Sequence, residues 1–142
     1  MTSPQQAAWQ VLGQELGSPV LALILGQALT SSAGVPAGEW GMYILTESAL
    51  HYRHEPSQGV LAGMIKIDRA DQPRLLGFNR SEVLACRYHQ GTFWKRLFAG
   101  ENDFITLEWS NGAPPLSFEP LEGGGAWAMQ VNQHFQLPQK AL

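Results

Sequence analysis

The order of patterns along the chain constrains it most: between Trp40 and Phe135 a run of short strand patterns is followed by one amphipathic helix. Gly41-Met42-Tyr43-Ile44-Leu45-Thr46, a short polar break and Ala49-Leu50-His51-Tyr52-Arg53 predict a hairpin. Tyr43 and Leu45 share one face of its first strand, Met42 and Ile44 the other. In the second strand Leu50, Tyr52 and His54 alternate with Ala49, His51 and Arg53. Farther on, Phe104 to Trp109 and a strand near Leu116-Ser117-Phe118 flank Asn111-Gly112, a dipeptide suited to hairpin turns, and Pro114-Pro115 shortens the second of them. After Gly123-Gly124-Gly125, which reads as a flexible loop, Trp127, Val131 and Phe135 recur every fourth residue and place one apolar stripe on a helix from about Ala126.

The rest of the chain is read around that frame. Ser3-Pro4 is a good helix start, Ala7, Ala8, Val11, Leu12 and Leu16 follow at helical spacing, and Gly17 can end the helix. Trp9 lies near the edge of that stripe and is expected to pack onto the domain. Val20 to Leu25 is continuously apolar, which suits a buried strand or a buried helix; Pro19 and Gly26 favour a strand, bent at Gly26. Residues 31–38 compose a loop. Val60 to Asp68, Leu75 to Phe78 and Ser81 to Tyr88 read as further strands, the last setting Val83, Ala85 and Arg87 against Leu84, Cys86 and Tyr88. Three segments follow: residues 1–18 as an appended N-terminal helix, 19–137 as the domain with its closing helix, and 138–142 as a tail.

At 142 residues, 44% of them hydrophobic and 15% charged, the chain suits one globular domain with an ample core. Five Trp and six Phe beside so little charge imply either that core or an apolar surface that meets a partner. A net charge of -3 and dispersed basic residues, adjacent only at Lys95-Arg96, argue against phosphate-neutralising nucleic-acid binding and allow at most peripheral membrane contact. Cys86, the single cysteine, has aliphatic neighbours and is expected to be buried and inert. No signal-peptide pattern opens the sequence, and the expected location is the cytoplasm.

The hairpin from Gly41 to Tyr52 resembles the glycine, aliphatic strand, Leu-Thr, short polar turn and Leu-x-aromatic hairpin of the pleckstrin-homology (PH)-like superfamily, in particular its GRAM-type and bacterial members. Leu97-Phe98, Phe104 to Leu107, Asn111-Gly112 and Leu116 to Phe118 resemble its last hairpin, and Ala126 to Phe135 its terminal helix. The resemblance implies an antiparallel barrel of about seven strands, a mostly β (α+β) fold, capped by the C-terminal helix, with Trp127 and Phe135 among the most buried side chains. Val20 to Leu29 is then an extra or first strand. The family implies binding rather than catalysis. Its lipid-binding members carry several basic residues on the first hairpin, where this chain has Thr46-Glu47-Ser48 and only Arg53 nearby.

No enzyme signature emerges. His51 and His54, three apart on a strand, point to opposite faces and make a poor metal clamp, and His89 and His134 lie far away in sequence. Glu47, Glu55, Asp68 and Asp71 fall in or beside turns, where solvated carboxylates are ordinary; Ser31-Ser32 and Ser81 lack a nucleophile-elbow setting. The binding candidate is the aromatic ribbon carrying Phe93, Trp94, Lys95 and Arg96, whose apolar residues cannot all face one interior if extended. The expected function is a non-catalytic PH-like module for protein–protein contact or self-association, without a cofactor. The alternatives are a binder of a lipid headgroup or other small ligand at the barrel mouth, and a hydrolase.

Overall fold

The structure, a computed structural model, describes residues 4–54, 75–90, 103–121 and 123–137, with side chains from Ala7 onward. The expected strand at Val60 to Asp68, the turn at Asp71 and the tail lie outside the described residues.

Helix α1 (Pro4–Leu16) stops at Gly17, whose φ of 75° only glycine adopts readily. Gly17 N–H donates to Gln14 O at 3.3 Å and Ser18 N–H to Gly13 O at 3.0 Å, the paired bonds of a Schellman stop. Strands β1 (Val20–Ala28), β2 (Trp40–Thr46), β3 (Ala49–His54) and β4 (Leu75–Asn79) follow. One 3₁₀ turn (Arg80–Glu82) makes the corner into β5 (Val83–His89), then come β6 (Phe104–Trp109), β7 (Leu116–Pro120) and helix α2 (Gly124–Phe135). All strand pairs are antiparallel, in the order β4-β3-β2-β1-β7-β6-β5.

The first hairpin lies where its alternation placed it, with Tyr43 opposite Tyr52 and Leu45 opposite Leu50. Its turn is held by Thr46, whose hydroxyl accepts from Ala49 N–H at 3.2 Å and donates to Ala49 O at 3.0 Å. Val20 to Ala28 is a central strand rather than an addition, since it pairs with β2 along its length and with β7 at its end.

Leu50 and Tyr52 of β3 share one buried cluster with Val83 and Cys86 of β5, although the two strands stand near opposite ends of the sheet order. The sheet therefore wraps around a single core. Among the described residues its end strands, β4 and β5, are not hydrogen-bonded to each other; Phe78 of β4 reaches across to β6, its ring 4.6 Å from that of Trp109. The expectation of a closed barrel is thus met only as a curled, open sheet.

Helix α2 covers this core with Trp127, Ala128, Val131 and Phe135, all buried. It begins two residues before the expected Ala126. A side chain at Gly124 would lie 2.7 Å from Pro120 Cγ and 3.3 Å from Ile105 Cδ1, so close approach of the helix start to the sheet accounts for that glycine. The alternation expected over Ser81 to Tyr88 also shifts. Ser81 belongs to the corner, and a register irregularity between Val83 and Ala85 puts Val83 and Cys86 together in the core cluster.

Candidate functional site

The register of β1 and β2 sets two faces. Ala22, Ile24 and Ala28 look inward with Tyr43 and Leu45. Leu23 stands opposite Ile44, Leu25 opposite Met42 and Gln27 opposite Trp40 on the other face. An outer face of an antiparallel sheet is usually polar; here it is apolar. Helix α1 covers part of it. Ile44 is fully buried although it looks away from the central core, and Leu12 of α1 is buried above the same face.

Trp9, half-buried, stands where three clefts meet. One, of about 870 Å³, runs from Trp9 along Gln10, Gly13 and Gln14 to Pro19 and Val20. A second, of about 550 Å³, lies between Leu21–Leu25 and the residues Leu121, Gly123, Ala126, Trp127 and Gln130. The third, of about 470 Å³, separates Ala8 and Val11 from Leu23, Met42 and Arg53. None of the described residues lining the first two is charged. At the rim of the third, Arg53 pairs with Glu15 at 3.6 Å. Lining these clefts, Val11 and Leu121 are 57% and 66% exposed. A contiguous apolar surface of this kind is the usual mark of a contact site.

The second cleft has a polar floor made of backbone. β7 pairs with β1 only at Gly26, Gln27 and Ala28, and Leu121 N–H adds one bond to Leu25 O at 2.9 Å. Alternate residues of an antiparallel strand direct both N–H and C=O to the same side. Leu29 N–H reaches Ser117 O on the β7 side, whereas Ala28 N–H reaches Glu39 O on the β2 side. Leu23, in step with Leu25, Gln27 and Leu29, therefore aims its N–H and C=O at the β7 side, where no described strand runs. The indole N–H of buried Trp127, in the wall of this cleft, meets no acceptor among the described residues.

The groups with chemical potential sit elsewhere; several have structural partners, whereas the Tyr43 hydroxyl and His51 Nε2 are buried without one among the described residues. Glu39 accepts from the Tyr52 hydroxyl and lies 3.5 Å from His54 Nε2. Burial, reinforced by the Glu39 charge, holds the Tyr43 hydroxyl above the usual tyrosine range. Desolvation lowers the pKa of His51, on the outer face of β3. His89 stacks on Phe104 with ring centroids 4.4 Å apart, and His134 Nε2 bonds Glu47 O at 2.7 Å. Among the described residues, no three His, Cys, Asp or Glu side chains converge as metal ligands. The Ser32 hydroxyl donates to Pro114 O and accepts from Trp109 Nε1–H, which ties the 31–38 loop to the β6–β7 turn. Glu47 is exposed at the hairpin turn; Glu55, Asp68 and Asp71 fall outside the described residues, as do Phe93, Trp94, Lys95 and Arg96.

Cys86 is buried, and burial pushes its thiol up to about 12. The thiolate is the reacting species, so alkylation of the native chain at pH 8 is expected to run at least about 100-fold slower than in denaturant. Timed iodoacetamide labelling followed by mass spectrometry checks this. Equal rates would place the thiol in solvent.

One sequence signal could have located the open backbone edge. The apolar pattern of β1 runs nine residues, whereas Pro115 and Pro120 confine β7 to five, so β1 must outrun that neighbour. The sequence matches no protein-family model and no curated protein.

Proposed function

We propose that this chain is a non-catalytic module of PH-like architecture that makes protein–protein contacts through the apolar surface centred on Trp9. The observation that carries this is the apolar outer face of β1 and β2, only part of which α1 covers, continuous with exposed Val11 and Leu121. The PH-like part rests on the strand order, the helix over one end of the core and the hairpin resemblance. Charge favours protein over a lipid headgroup. Arg53 and Arg87 are engaged by Glu15 and Glu108, and the turn corresponding to a headgroup-binding loop carries Glu47.

Photo-crosslinking from the surface tests the proposal. A benzoylphenylalanine at position 11 or 121 should give discrete protein adducts in an extract of the source cells, and one at Asn111, on the β6–β7 turn, should not. Identical adduct patterns at all three positions would contradict the proposal. So would flotation of the chain with anionic vesicles at low salt that is lost at high salt, which marks headgroup binding.

A further inference from the structure

We infer that the cleft between β1 and α2 receives an extended, uncharged peptide segment of a partner protein, which adds as a strand along the open edge at Leu21–Leu25. This deepens the contact reading above and rests on it. Backbone N–H and C=O groups demand partners, and a mid-sheet strand that shows one unpaired side is a template for another strand. β1 is such a strand: bonded to β2 throughout, and to β7 only from Leu25 onward. Main-chain bonds of this kind give affinity, while pockets for alternate side chains give selectivity.

The walls define the segment. Leu21, Leu25, Leu121 and Ala126 are apolar, and the cleft volume of about 550 Å³ falls in the range of built binding sites. The described lining residues bring no charge, and a charge entering among them would lose water, which favours a neutral segment. The indole of Trp127 backs the cleft as an apolar wall, with its N–H buried and without an acceptor among the described residues. Gln130 adds an adaptable amide at the opening.

The test pans a phage-displayed random heptapeptide library on the full chain, with counter-selection against Ala126→Glu and, separately, Gln130→Glu. Ala126 and Gln130 are exposed on α2, and at Ala126 a carboxylate falls in the first turn of the helix, where it is favourable, so both variants should fold; circular dichroism checks it. Enriched peptides should be uncharged with alternating apolar residues. A synthetic copy should shift the amide signal of Leu23 and the indole signal of Trp127 in ¹⁵N spectra. The same peptide N-methylated at alternate amides should bind at least about tenfold more weakly. The proposal is overturned by three results: no enrichment over the variants, equal binding of the N-methylated copy, or a concentration-dependent dimer that Ala126→Glu abolishes, which would make a second copy the occupant. Protein adducts at positions 11 and 121 without any peptide enrichment would sink this proposal and leave the broader contact reading standing.

Discussion

Gly41→Ala should destabilise the fold by about 3 kcal/mol, the top of the usual range for overpacking, and lower the melting temperature by about 10 °C. A Cβ at this position would lie 2.1 Å from Tyr52 Cε2 and 2.4 Å from Cζ. The Tyr52 ring has nowhere to go: it is fully buried, tilted against Tyr43 at 5.0 Å, and its hydroxyl is tied to Glu39. Gly26, paired across the ladder with Gly41, does the same for Phe118, whose Cδ2 would stand 2.6 Å from an added Cβ. The two glycines face the aromatic layer in which Tyr43 stacks on Phe118 at 3.7 Å. Gly77→Ala is the control. Its added carbon would meet His51 Nδ1 at an ordinary 3.6 Å, and the change should stay within about 0.5 kcal/mol. Urea denaturation of both variants checks the contrast; equal midpoints would mean that Tyr52 is not fixed where the structure puts it.

Trp127→Ala should cost about 3–5 kcal/mol, because it removes the largest side chain that α2 inserts over the core. The indole meets the Tyr43 ring edge-on at 6.4 Å and Phe118 at 5.8 Å, so aromatic contacts are lost together with buried area. Met129→Ala, on the exposed side of the same helix, should change stability by less than about 0.5 kcal/mol. A cost below about 1 kcal/mol for Trp127→Ala would show that the helix does not seal the sheet.

What could be read from residues alone follows physical lines. The hairpin from Met42 to Arg53 was legible because one buried and one less buried side impose a period of two, and the observed register keeps it. Trp127, Val131 and Phe135 were legible because only a helix gathers residues four apart on one stripe. Val20 to Leu25 had no period because both of its sides meet apolar surface, the core on one and the α1 side on the other. The irregularity between Val83 and Ala85 could not be foreseen, since an extra residue in a ladder is fixed by the partner strand and leaves no local mark. Gly124 and Gly125 suggested a loop when the reason for Gly124 is contact with Pro120 and Ile105, distant or unremarkable in sequence. The candidate site was hidden for a related cause. It is made by where β7 ends relative to β1, a property of two segments about ninety residues apart.

Amide hydrogen exchange at Leu23 tests the open edge of β1 most directly. Ile24 N–H, turned toward β2, should exchange with the slow core, and Leu23 N–H, one residue away but turned to the cleft, should exchange at least about 100-fold faster. Equal protection of the two amides in the isolated chain would mean that the edge is already paired, and no room for a partner's strand would remain.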